Sequence, residues 1–184
     1  MNVLPIATVL LLFALFAPQE RFPAPPADAT RIYFVSDGQP KPLPFEEGMV
    51  SANVFVAAPE DKIMHVRLKG SKAATVLSGA DLRFYVFVGD RMDPPPHQLV
   101  RLTPKGSNRE LKISLIKGRK GYAPFDADTL KLEHRLLERL RVSAGTNRIL
   151  FVNYMELRLQ GNLTPGEYAI IGDSLADMAT FRIP

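Results

Sequence analysis

The sequence predicts a mainly β protein: a single antiparallel β-sandwich, immunoglobulin-like or jelly-roll-like, with one short helix expected near 128–141. Three observations predict it. Short runs rich in Val, Ile, Leu, Phe and Tyr recur at intervals of about ten residues. Gly and Pro punctuate the gaps, with 12 Gly and 16 Pro in 184 residues. Several runs alternate apolar and polar residues at period two, the signature of a half-buried strand.

The elements follow in order. Val3 to Ala17 is a nearly unbroken apolar run, interrupted by Pro5 and Thr8 and followed by Gln19-Glu20-Arg21. It is short for a bilayer span, so residues 1–17 are expected to be a cleaved signal peptide, in preference to a membrane anchor or a buried core segment. Against this, Met1-Asn2 supplies no Lys or Arg. Residues 18–30, with Pro23-Ala24-Pro25-Pro26, are expected to be a stiff spacer. Residues 31–184 then form the β-sandwich domain.

Within that domain Arg31–Val35 reads as a first strand, Ser36-Asp37-Gly38 as its turn and Gln39–Pro44 as an extended connector. Val50–Ala57 alternates Val50, Ala52, Val54 and Val56. Ile63–Leu68 turns Met64, Val66 and Leu68 inward and His65 and Arg67 outward. Leu82–Val88 is apolar on both faces, as a strand covered on both sides is. Gln98–Leu102 and Arg109–Ile116 follow, the latter with Leu111, Ile113 and Leu115 at period two. Arg148–Leu159 is long and apolar, with a bulge expected near Asn153.

Leu130–Leu140 reads two ways. Leu132, Leu136 and Leu140 make a helical stripe, and Leu130, Leu132, His134 and Leu136 make a strand alternation. The doubled Leu136-Leu137 and the scarcity of β-branched residues favour the helix. At the end, Thr164-Pro165-Gly166-Glu167 predicts a type II turn with Gly166 at positive φ. Glu167–Ile171 and Ala176–Ile183 follow as a last strand pair that closes the sheet.

The stretch Leu163-Thr164-Pro165-Gly166-Glu167-Tyr168-Ala169 resembles the closing hairpin of small secreted or periplasmic bacterial β-sandwich domains. Val66–Lys72 and Asn108–Ile113 fit the same pattern. The resemblance implies fold and compartment, namely a periplasmic or extracellular bacterial protein, and brings no catalytic residue with it.

Composition narrows the chemistry. The chain has no Cys, so a lipoprotein anchor is excluded and an exported domain must hold together by its core alone. His65, His97 and His134 lie in separate segments without metal-ligand spacing, and no metal or cofactor is expected. No Gly-x-Ser-x-Gly elbow is present. Gly172-Asp173-Ser174-Leu175 reads as a turn, because a chain ending so soon after it leaves no room for the downstream residues of an esterase. Glu46-Glu47 and Glu60-Asp61 read as solvated loop pairs. A hydrolase site assembled from His97, Asp93 and Glu47 is the weakest reading.

The formal charge of +4 arises wholly between Arg101 and Arg148. Arg101, Lys105, Arg109, Lys112, Lys117, Arg119 and Lys120 crowd around one hairpin and form the candidate surface for an anionic partner. The competing reading is that they guard an exposed strand from pairing with other chains. The expected function is therefore a non-enzymatic exported binding protein with a protein, glycan or anionic envelope partner. The alternative is a structural subunit that adds a strand to a neighbour. Nucleic acid is not an expected partner, and membrane contact is expected only through an uncleaved N-terminal segment.

Overall fold

Chain reversals at Gly and Pro cut this sequence into short extended segments, and among the described residues fourteen of them pair as β-strands. The computed structural model describes residues 22–52, 63–89, 96–115, 122–125, 128–143, 149–172 and 177–184. In chain order the strands are β1 (Tyr33–Ser36), β2 (Gln39–Pro42), β3 (Phe45–Glu47), β4 (Met49–Ala52), β5 (Ile63–Lys69), β6 (Arg83–Gly89), β7 (Gln98–Lys105), β8 (Asn108–Leu115), β9 (Tyr122–Pro124), β10 (Thr129–Leu130), β11 (Leu132–Ser143), β12 (Ile149–Leu159), β13 (Gly166–Ile171) and β14 (Asp177–Ile183). Among the described residues there is no helix. The signal segment 1–17, residues 53–57 of the expected second strand, and Asp173 to Leu175 lie outside them.

One sheet has five strands in the order β11-β12-β6-β1-β2. The β1–β2 hairpin turns at Asp37 (φ 56°) and Gly38 (φ 72°), two left-handed residues whose twist matches that of paired strands. The expected connector after this turn is therefore itself a strand as far as Pro42. The second sheet runs β3-β14-β13-β7-β8-β5-β4, with β10 on β7 and β9 on β8. Its two ends, β3 and β4, are separated in the chain by Gly48 alone, so residues 45–52 draw the edges together and the sheet is nearly a closed barrel.

Period-two alternation then decides the packing. On β13 and β14, Tyr168, Ile170, Ala179, Phe181 and Ile183 meet Phe84, Val86, Leu157 and Leu159 of the five-stranded sheet, which gives the sandwich its core. The opposite faces of the same strands carry Ala169, Ile171 and Met178. These meet Val66, Leu68, Val100, Leu102, Leu111 and Ile113 inside the barrel-like sheet. β13 is thus buried on both faces from Glu167 to Ile171. Burying a side chain of this size is worth about 1.5–3 kcal/mol, so β13 is the seam that joins the two cores. β6 is covered on both sides as expected, its outer face lying under the cluster Tyr33, Tyr85 and Tyr154.

Four expectations change. The segment 128–141 is strand, β10 and β11, not helix. The extra residue of a β-bulge sits between Leu136 and Glu138 on β11, not near Asn153 of its partner β12. Gly166 does not take positive φ; Gly161 does, at 100°, so the chain corners earlier and Gly166 opens β13. The corner is tied by Tyr168, whose hydroxyl donates to the Thr164 carbonyl at 2.8 Å. Finally, the last strand pair does not close the sheet, because β3 lies outside β14.

The Pro-rich segment, from Phe22 on, lies along the outer face of the five-stranded sheet. Tyr154 donates to the Pro23 carbonyl at 3.3 Å, Tyr33 donates to the Asp28 carbonyl at 2.8 Å, and the Arg135 guanidinium sits 5.3 Å from the centre of the Phe22 ring.

Candidate functional site

Inward alternation on β8 carries Leu111 and Ile113 into the barrel-like sheet, and Arg109 follows the same parity. It is 1% exposed. It is therefore not a surface contact for an anionic partner, which corrects the expectation for this residue. Its Nη2 pairs with the Glu46 carboxylate, which also accepts from the Thr180 hydroxyl. Its Nε donates to the Gly70 carbonyl at 2.9 Å and its Nη2 to the Lys69 carbonyl at 3.0 Å. Its Nη1 faces Glu167 Oε2 at 3.7 Å, and that oxygen accepts the Ala73 amide at 2.7 Å. Glu46 is thus a strand residue on an inward position, not half of a loop pair. The cluster ties β3, β8, β13, β14 and the turn after β5 at one end of the barrel.

The outer face of the β7–β8 hairpin is largely self-neutralised. Glu110 is buried between neighbours: Arg67 donates to it at 2.8 Å, Lys105 at 3.1 Å, and His65 Nδ1 lies 3.5 Å away. Burial pushes its carboxyl up, but the hydrogen bonds from Arg67 and Lys105 outweigh that and hold it below the usual value of 4.5. Arg101 is exposed and donates to the Pro165 carbonyl at 3.2 Å. Lys112 is exposed opposite His65. Lys117, Arg119 and Lys120 lie outside the described residues.

The three histidines do not converge. His65 is beside Glu110, His97 lies against Gly172 at the end of β13, and His134 is exposed on β11. β14 and β13 stand between Glu47 and the start of β7, which puts Glu47 roughly 14 Å from His97 at the usual strand spacing. Asp93 lies outside the described residues. Among the described residues no group of three or more His, Asp or Glu is placed to hold a metal ion.

A second region combines charge with exposed apolar surface; its β11 half was expected to be helix and its β12 half strand. Leu136 (54% exposed), Leu150 (41%) and Phe151 (43%) stand on β11 and β12. The bulge at Leu137 resets the alternation on β11, so Leu136, Arg139 and Arg141 share one face with Phe151 and Asn153, while Leu137, Glu138 and Leu140 share the other with Tyr154 and Val152. The Arg139 guanidinium lies 4.5 Å from the centre of the Phe151 ring, cation–π contact distance. Neither strand puts a carboxylate on that face among the described side chains.

A cleft of about 640 Å³ opens where β1 diverges from β6 after Phe34, lined by Phe22, Val35, Val76, Leu77, Asp81 and Tyr85 among others. Asp81 is held at φ 48° and its carboxyl is kept below the ordinary range by the Arg83 hydrogen bond, with Arg158 also paired to it.

Among known proteins, no family matches the chain, and no curated sequence or solved structure is significantly similar to it.

Proposed function

We propose that this chain is an exported, non-enzymatic β-sandwich protein of a bacterial envelope that binds a protein or anionic partner through the β11–β12 ribbon. The observation that carries the reading is the face formed by Leu136, Arg139, Arg141 and Phe151, where, among the described side chains of β11 and β12, exposed apolar groups meet two arginines and no carboxylate. Arg and aromatic residues anchor interfaces, because they combine large contact area with directional polar groups. The apolar run 3–17 and the closing-hairpin resemblance support export, and the absence of Cys fits a bacterial envelope better than a eukaryotic extracellular space. The basic β7–β8 hairpin is the weaker surface, since Arg109 is internal and Lys105 is committed to Glu110.

Strand addition is less well supported. β11 is a sheet edge, but it carries a bulge and charged side chains, devices that oppose edge-to-edge pairing. β2 carries Pro40 and Pro42, which offer no amide to a partner strand.

Binding of the full chain to dextran sulfate and to neutral dextran, at low and moderate salt, tests the proposal. The expected result is salt-sensitive retention on the sulfated polymer that is lost in the variant Arg139→Gln/Arg141→Gln. Equal retention of both proteins, or none, contradicts it.

A further inference from the structure

We infer that the outer face of the five-stranded sheet carries a groove for polyproline II peptides, which the chain's own segment 22–28 occupies and a proline-rich segment of another polypeptide takes in exchange. The site is separate from the face proposed above, because Tyr154 stands on the side of β12 opposite Phe151 and Asn153.

Strand register builds the floor of the groove. One rung sets Arg135, Glu156, Tyr85 and Tyr33 side by side, and the next rung on the same face sets Tyr154 beside Phe87. The Tyr154 ring lies 5.9 Å from that of Tyr85 and 5.0 Å from that of Phe87. Tyr33, Tyr85 and Tyr154 are buried although this is the outer face of the sheet. The Tyr154 and Tyr33 hydroxyls donate to the Pro23 and Asp28 carbonyls, so the segment 22–28 lies over them as a strap. The Tyr85 hydroxyl donates instead to Glu156 at 3.3 Å.

The strap has the chemistry of a polyproline II ligand. Proline fixes φ near −65° and pushes the residue before it out of the helical region, which makes Pro23-Ala24-Pro25-Pro26 extended. A polyproline II helix has three residues per turn and no internal hydrogen bonds, so its carbonyls are open to outside donors. Burial follows that period: Ala24 and Ala27 are exposed, while Pro23 and Pro26 are half-buried. Both tyrosine bonds run from a sheet hydroxyl to a strap carbonyl. Such a floor favours a segment that accepts without donating. Proline, which has no amide N–H, meets that demand, whereas an ordinary extended peptide would bury unpaired amides. Aromatic floors of this kind are a recurring way of holding proline-rich segments. The strap is also lightly held. Among the described residues 22–28 pairs with no strand, and Phe22 is 43% exposed. It precedes β1, so lifting it breaks no sheet pairing.

Fluorescence anisotropy of labelled peptides mixed with the full chain tests the inference. The probes are a peptide of residues 22–30, one of repeated Ala-Pro-Pro and one of repeated Ala-Gly-Ser. Pro23→Gly/Pro25→Gly/Pro26→Gly loosens the strap and leaves the floor intact; Pro25→Gly alone replaces it if the triple variant fails to fold. The loosened chain should bind both proline-rich peptides about tenfold more tightly than the parent, because an internal occupant lowers apparent affinity by the fraction of open groove. It should not bind the Ala-Gly-Ser peptide. Adding Tyr154→Phe should weaken binding about fivefold. Absent binding, binding of the 22–30 peptide alone, equal binding by parent and loosened chain, equal binding of the Ala-Gly-Ser peptide, or unchanged affinity with Tyr154→Phe overturns the inference. A parent chain that dimerises, and becomes monomeric in the loosened variant, also overturns it, because two copies then exchange straps with each other. The dextran sulfate result is independent of all these outcomes.

Discussion

Arg109 Nη1 stands 3.7 Å from Glu167 Oε2 inside the barrel-like sheet, with the Glu46 carboxylate on the other side of the guanidinium. One buried cation between two carboxylates is costly to desolvate. The Lys69 and Gly70 carbonyls accept from the guanidinium and the Ala73 amide donates to Glu167, which offsets part of that cost, while Nη1 is left with the ion pair alone. Removing the cation leaves two carboxylates facing each other in a closed space. Arg109→Met should therefore cost about 3–5 kcal/mol in urea unfolding. Adding Glu46→Gln and Glu167→Gln to it should recover part of that loss. A cost below about 1 kcal/mol would mean that the cluster is not a tie.

Glu110 gives a pH dependence with a defined sign. Its folded-state value lies below its unfolded one because Arg67 and Lys105 favour the charged form. Its stabilisation is thus complete above the unfolded range and fades as pH falls through the folded value. Both partners are substantially exposed, so screening limits the effect. Glu110→Gln should be about 1–2 kcal/mol less stable at pH 7, and the gap should close on acidification below about pH 4. A gap that stays constant down to pH 3 would contradict the assignment.

Gly79 packs where no side chain fits. A Cβ there would meet the Leu163 carbonyl oxygen at 2.6 Å, and the Leu163 amide already donates to the Gly79 carbonyl at 2.9 Å. Gly79→Ala must push backbone from backbone, and should cost about 1–3 kcal/mol in thermal or urea unfolding. An unchanged midpoint would show that the two segments separate freely.

The bulge is predicted to keep the chain soluble. Deleting Leu137 leaves Leu136 and Glu138 on their present faces but straightens the β11 edge. The deletion protein should fold and self-associate, with a raised mass by light scattering at concentrations where the parent is monomeric. A monomeric deletion protein would show that the charged side chains guard the edge by themselves.

Much of this fold was legible. The alternation Met64, Val66, Leu68 and Leu111, Ile113 assigned the inner faces of β5 and β8 correctly, because a half-buried strand must alternate. The Leu130–Leu140 segment was misread because a bulge and a helix leave similar marks. Both break period two, and here the inserted Leu137 produced the doubled Leu136-Leu137 that favoured a helix, while the spacing of four at Leu132, Leu136 and Leu140 fits a strand as well. The Gly166 turn was misread because Pro-Gly fits several corners, and Tyr168 anchors one that begins at Gly161. The Arg109 cluster had a signal that was overlooked. Arg109 shares parity with Leu111 and Ile113, and Glu167 shares parity with Ala169 and Ile171, so two opposite charges sat at the ends of two inward stripes. Their meeting depends on strand order, which periodicity does not encode. The exposed face of β11 and β12 was hidden for a related reason, since the bulge at Leu137 resets which residues share it.

The central claim is that the β11–β12 ribbon, and not the basic β7–β8 hairpin, is the interaction surface. Its most direct measurement is the salt dependence of binding to dextran sulfate for two charge-matched variants, Arg139→Gln/Arg141→Gln on the ribbon and Lys105→Gln/Lys112→Gln on the hairpin. The account predicts that the ribbon variant loses affinity and flattens the salt slope while the hairpin variant behaves as the parent. Loss in the hairpin variant with the ribbon variant unchanged would contradict it.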